Sequence, residues 1–386
     1  MKKIFKLLNN NKIQLLLVVF SFFLIIISVT RALYLAQIFS FDFHYSTAKL
    51  VSEGVNHYRY TLDGYRDYGP NDKLMYAQNG LYAQGLILLL IPFTWLDWDS
   101  AKFLWSIFNV VLGIVTPLIL CIKFRLTKIQ TFSVLVIFLT STIFRINISY
   151  GQQSIFCFFF ILLPFLNNSK IYAFFSGISY YKYNLGYVLF IYFLSLKKLN
   201  TLFLSLLPCV IGWLFYSYIT DTNIIKNLIE PVLVLSYWEA KAALPVTFLS
   251  ILKKINVNNY IIILISIFLS FFVIYKIRYL KNDLYKLSLI CLTSLAFASH
   301  QLHDYILLLP LLVFSIKNID HIISKVNLAF IFYFFFFLRI LSFFFGFQPW
   351  EFPYGYFGYL NSFLIILILF FNLKYARLYS NFLNKF

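Results

Sequence analysis

The sequence predicts an all-α fold: a polytopic membrane protein of about twelve transmembrane helices, forming one integral-membrane domain over residues 1–386. Three observations carry this. Hydrophobic residues make up 61% of the chain and charged residues 12%, against about 45–50% and about 25% in soluble proteins. Mean hydropathy is +0.81. Charge-poor apolar runs recur along the chain, several of them close to the ~20 residues a spanning helix needs. A soluble enzyme, a disordered chain and a nucleic-acid-binding module are excluded as classes. The net charge of +18, which on a soluble protein would raise the question of nucleic acid, is here a question of sidedness.

The elements follow in order. Lys2, Lys3, Lys6 and Lys12 precede a charge-free run from Ile13 to Thr30. That run is too long for a signal-peptide core and has no small-residue cleavage site, so it predicts a retained first span. Spans are expected at 13–33, 103–122, 129–147, 153–169, 171–181, 184–196, 201–219, 259–275, 285–299, 305–316, 327–345 and 357–373. Segment 81–95 is apolar but short and interrupted by Gly85 and Pro92, and is expected to lie at the outer interface. Two outer loops remain, 34–102 and 220–245; the second is expected to hold an interfacial helix around 223–236, followed by Trp238 and Glu239. Cys121, Cys157, Cys209 and Cys291 all fall in apolar stretches and make neither a disulfide framework nor a CxxC metal site.

Twelve passes place both termini in the cytoplasm of a multi-pass cell-membrane protein. On that topology nineteen of the 32 basic residues and two of the 14 acidic residues lie inside, a strong positive-inside bias. Lys253 and Lys254 fall on the outer side, against the trend.

Two hairpins are too short for their job. Residues 171–197 and 287–316 each cross twice, where two full passes want about 40 residues. Their outer turns are therefore expected below the membrane surface, where irregular backbone survives only if it lines protein or a water-filled cavity. The first turn carries Lys182 and Asn184; the second carries Ser299, His300, Gln301, His303 and Asp304. A third polar turn on the same side carries Asn147, Gln152 and Gln153. Ionisable groups at such depth are functional candidates, and together they predict a recessed polar pocket opening outward.

The first outer loop is acid-rich, with Asp42, Glu53, Asp63, Asp67, Asp72, Asp97 and Asp99. From about 43 to 53 it predicts an amphipathic helix ended by Gly54, with Phe41, Phe43, Tyr45 and Tyr58 as interfacial aromatics. Asp42 sits at its N-terminal edge, as a helix cap or as a reactive carboxylate. His44 beside it completes only a pair of metal ligands, too few for a site, and no cofactor motif occurs.

These residues, in this order, resemble the GT-C superfamily of integral-membrane glycosyltransferases. The likeness is closest to glycosyltransferase family 87, the polyprenol-phosphate-mannose-dependent α-mannosyltransferase type. It rests on Asp42 in an Asp42-Phe43-x-Tyr45 context after the first span, a following helix ending in Gly54 and Asn56-x-Tyr58, Ile91-Pro92, Trp105 with Asn109, Gly151-Gln152, Lys182 at a hairpin turn, and His303-Asp304-Tyr305. It runs from about residue 13 to 316. Two departures stand out: Tyr76-Ala77-Gln78-Asn79 replaces the family's Tyr-Pro-Pro, and Tyr183-Asn184 follows Lys182 where Pro is common. The resemblance implies a polyprenyl-phosphate sugar donor, mannose foremost, a glycan or glycolipid acceptor, an extracytoplasmic active site and Asp42 as the catalytic aspartate.

The chemistry is consistent with that implication. An attacking hydroxyl needs a base, and a positioned carboxylate such as Asp42 contributes about 10²–10⁴-fold. A departing phosphate needs positive charge or hydrogen-bond donors, which Lys182, His300 and His303 could supply; His44, Tyr45, Gln152, Gln153, Asn184 and Asp304 would line the pocket. Each has a plainer alternative. Lys182, Arg145 and Arg339 could snorkel, the histidines could pack, Asp304 could cap a helix, and Gln152 and Gln153 could satisfy backbone at a helix break. A polysaccharide polymerase or ligase would place its main loop late in the chain. A transporter of lipid-linked glycans would show internal repeats, and none is visible.

Overall fold

A computed structural model describes residues 11–63, 82–241, 249, 252, 257–345 and 355–378. Among them all regular structure is helical. Asp67, Asp72, motif residues 76–79, and Lys253 and Lys254 lie outside the described residues, as do the side chains of Trp238, Glu239 and Arg339.

Helix α1 (Asn11–Ile38) leaves Leu15, Leu16, Val19, Phe20 and Phe23 exposed, the pattern of a helix meant for lipid. It is followed by α2 (Tyr45–Ser52), α3 (His57–Leu62) and α4 (Gln84–Leu90), the last running into a 3₁₀ turn, Ile91–Trp95, at Pro92. Gly54 closes α2 at φ +81°, a conformation that favours glycine. α2 is not laid open at a membrane surface as expected. Tyr45, Ser46, Thr47, Ala48, Leu50 and Val51 are all buried, and Phe43 stacks on Trp105 at 5.5 Å and on Trp98 at 6.0 Å. Of the four aromatics expected at the interface, Phe43, Tyr45 and Tyr58 instead join a second hydrophobic core, and Phe41 stays exposed.

The main bundle contains α5 (Trp98–Lys123), α6 (Lys128–Leu139), α7 (Thr142–Ser149), α8 (Ser154–Leu166), α9 (Lys170–Ser176, extended by a 3₁₀ turn over Gly177–Tyr181), α10 (Tyr183–Ser195) and α11 (Leu199–Ile219). It continues with α12 (Ile224–Lys241), α13 (Asn259–Ile277), α14 (Asp283–Phe297), a 3₁₀ helix over Leu302–Leu308, and α15 (Leu309–Lys317). The last elements are α16 (Ile322–Phe332), a π-helical stretch over Tyr333–Phe337, α17 (Leu338–Phe345) and α18 (Gly355–Leu378). α14 from Leu284 to Phe297 and α15 from Leu309 to Ile316 are buried throughout, forming the centre of the bundle.

Among the described residues five helices, α1, α5, α11, α13 and α18, are long and apolar enough to cross a membrane unaided. The expected span 129–147 is instead broken: α6 and α7 meet at Thr140–Ser141 with a bend of 54°. The cause is local, because Ser141 caps α7, accepting from the backbone N–H of Phe144 at 3.1 Å. The two hairpins expected at 171–197 and 287–316 are built of short helices, α9 and α10 in the first and α14 and α15 in the second, and the expected span 153–169 is a short helix as well, α8.

Candidate functional site

The site is assembled from four separated segments. The first is the turn after α1. Ser40 N–H donates to the Ser149 carbonyl at 2.9 Å and Asp42 N–H to the Tyr150 carbonyl at 2.8 Å, pinning residues 40–42 against the end of α7. That approach depends on Gly151, at φ +67°, where a Cβ would sit 2.7 Å from Phe43 Cβ. Trp105 donates its indole N–H to the Gly151 carbonyl at 2.9 Å and fixes the turn from α5. Asn109 donates to the Trp105 carbonyl at 3.1 Å.

The second segment is the Gly151–Ser154 turn itself. Gln152 donates its amide to the Asp42 carboxylate, and Gln153 donates to the Asp42 backbone carbonyl at 2.6 Å. Asp42 therefore does not cap α2, whose N-cap position is His44. The third is the hairpin turn before α10. Lys182 Nζ lies 3.4 Å from Gln152 Oε1, 2.6 Å from Ser154 Oγ and 2.8 Å from Asp304 Oδ1. The fourth is the 3₁₀ helix after α14. Asp304 accepts from Ser154 Oγ at 2.7 Å and from Asn184 Nδ2 at 2.9 Å, and faces His300 Nδ1 at 3.3 Å and His303 Nε2 at 3.4 Å.

The result is one chain of polar contacts running from Asp42 through Gln152 and Lys182 to Asp304. Asp42 keeps a solvent-accessible edge, while Gln152, Lys182 and Asp304 behind it are buried. Crowding by protein raises the Asp42 carboxyl to about 6; the nearby Lys182 ammonium and the Gln152 hydrogen bond pull the other way and are outweighed.

Of the residues singled out from sequence, Asp42, Gln152, Gln153, Lys182, Asn184, His300, His303 and Asp304 are brought together. Tyr45 is not: its hydroxyl donates to the Leu96 carbonyl at 2.7 Å and its ring packs on Trp98. His44 packs edge-on against Tyr82, whose ring in turn lies 5.4 Å from Lys182 Nζ. Asp304 does cap the 3₁₀ helix, accepting from Gln301 N–H at 3.3 Å, in addition to its ion pair. Lys182 is not a free cation awaiting an anion. Its three N–H groups match three acceptors already present. His300 is likewise turned inward, with Nε2 3.0 Å from the Ser294 carbonyl, so it supports Asp304 from behind.

Two contributors escaped the sequence reading. Ser154 bridges Lys182 and Asp304, and Tyr82 covers Lys182. Ser154 opens α8 directly after the polar Gly-Gln-Gln run, which was the available signal. Among the described residues no group of three or more His, Cys, Asp or Glu is arranged to hold a metal ion. Comparison with protein-family models, with curated proteins and with solved structures finds no match.

Proposed function

We propose that the chain is an inverting membrane glycosyltransferase of the GT-C type. It would move a sugar, mannose foremost, from a polyprenyl-phosphate donor to a glycan or glycolipid acceptor at the extracytoplasmic face. The observation that carries this reading is Asp42: a carboxylate with an accessible edge, backed by a buried chain of polar groups that ends in an ammonium–carboxylate pair. The twelve-pass arrangement with both termini in the cytoplasm belongs to the same proposal.

In the proposed step the acceptor hydroxyl attacks the anomeric carbon and gives its proton to Asp42. The new C–O bond forms as the bond to the phosphate oxygen breaks, and the lipid phosphate departs as an anion. One displacement inverts the centre, so a β-linked donor yields an α-linked product. A carboxyl raised to about 6 is a stronger base than an ordinary aspartate while still ionised at neutral pH. The donor phosphate reaches Lys182 by taking the place of one of its three acceptors. His300 and His303 hold Asp304 as Lys182 exchanges partners.

The test is a transfer assay with purified protein in liposomes. Radiolabelled polyprenyl-phosphate mannose is offered first, then the glucose and arabinose donors, with extracted glycolipids as acceptors. Label entering a product supports the reading and names the donor. Silence from every donor, with folded protein, removes it and favours the polymerase, ligase or transporter class.

Two expected outcomes arise here. Because Asp42 must be unprotonated to act, kcat/KM should fall about tenfold per pH unit below a midpoint near 6. A profile flat from pH 7 to pH 5 would contradict its role. The topology places Glu53, exposed at the end of α2, outside. In a Cys209→Ser background, with the other three cysteines buried, Glu53→Cys should react with a membrane-impermeant maleimide on intact cells. Reaction only after permeabilisation would reverse the orientation.

A further inference from the structure

Helices α8, the α9 segment and α10 each have one end at the site, marked by Ser154, Lys182 and Asn184. Their other ends meet at the opposite face of the bundle. α8 has 13 residues, so the two ends of that helix are about 20 Å apart. There the turn between α8 and α9 and the turn between α10 and α11 border an open cavity of about 440 Å³, with Lys197 and Lys198 on its exposed rim. Its polar lining includes Asn167, Ser169, Lys197, Lys198, Asn200 and Thr201, and no acidic residue. Among the described residues neither Lys197 nor Lys198 forms an ion pair. Asp283, an acid within electrostatic reach of the lining residue Tyr192, is itself engaged by Lys286 at 2.9 Å.

We infer that this cavity is a binding site for a phosphate ester, placed at the end of the bundle remote from Asp42. The chemistry is that of two lysines with no carboxylate competing for them, flanked by amide and hydroxyl groups able to donate to phosphate oxygens. Its surroundings favour a lipid headgroup as the source. Leu199 and Phe203 on α11 and Ile171 on α9 are exposed beside it, giving acyl chains an apolar wall under a polar, basic rim, the arrangement that holds anionic headgroups at membrane surfaces. The inference is independent of the glycosyltransferase reading.

The test uses the full chain purified in a neutral detergent. Phosphatidylglycerol, phosphatidylcholine and inorganic phosphate are added separately, and the rise in apparent melting temperature is titrated. Phosphatidylglycerol should stabilise the wild type, and Lys197→Gln with Lys198→Gln should weaken that response about 10- to 30-fold in half-saturating concentration. An equal response to inorganic phosphate would name a soluble phosphate ester as the source; no response to it would name the lipid. A control pair on exposed lysines away from the cavity, Lys128→Gln with Lys325→Gln, should leave the titration unchanged. If the control pair weakens it as much, or if the cavity pair does not weaken it, the site is overturned and only diffuse attraction of basic residues to anionic lipid remains. No stabilisation by either anion overturns it as well.

Discussion

Asp42→Asn should reduce transfer by about 10²–10⁴-fold, the contribution of a positioned general base, while leaving the fold and donor binding in place. The substitution is close to isosteric. The new amide oxygen can still accept from Gln152, and the backbone carbonyl still accepts from Gln153. The Ser40 and Asp42 amide bonds to Ser149 and Tyr150 do not involve the side chain at all. Loss of turnover with unchanged thermal stability and unchanged donor affinity would therefore isolate the proton transfer. Turnover within a few-fold of wild type would dismiss Asp42 as the base and, with it, the mechanism proposed above.

The second large effect is on stability. Lys182 and Asp304 are both about 2% exposed at their side chains and 2.8 Å apart. Removing one partner from a buried pair strands the other charge, at a cost of about 3–5 kcal/mol. Lys182→Met should thus lower the melting temperature sharply in detergent. Lys182→Met combined with Asp304→Asn should recover most of that loss, because no lone charge remains and Asn still bonds Ser154 or Asn184. If the single and double variants unfold together, the pair does not act as a unit in holding the α10 turn to the 3₁₀ helix. Neither variant should carry out transfer, so stability and activity separate cleanly in the double variant.

Much of this arrangement was legible from residue counts alone. Two hairpins with too few residues to cross twice had to be short, and α9 with α10 and α14 with α15 are short. The polar turns at 147–153, 182–184 and 299–304 were expected on one side, and they do meet. What stayed hidden depends on direction and depth. The bend at Thr140–Ser141 was masked by hydropathy, which scores 129–147 as one apolar run; the Ser141 cap was the available clue. The burial of α2 was masked because aromatic residues enrich both membrane interfaces and protein cores. The saturation of Lys182 could not be foreseen, since spacing along the chain says nothing about how many acceptors converge on one ammonium.

The short helices have a consequence for how substrates would meet. A helix of 13 residues, such as α8 or α10, covers about 20 Å of a hydrocarbon layer about 30 Å thick. Lipid does not take up the difference, because α8 has no exposed residue and α10 only Tyr183 and Leu194. If α8 and α10 stand across the membrane as proposed, their site ends stop short of the aqueous phase. A water-soluble acceptor would then enter the protein to roughly a third of the layer's depth, whereas a lipid-borne donor would already be there.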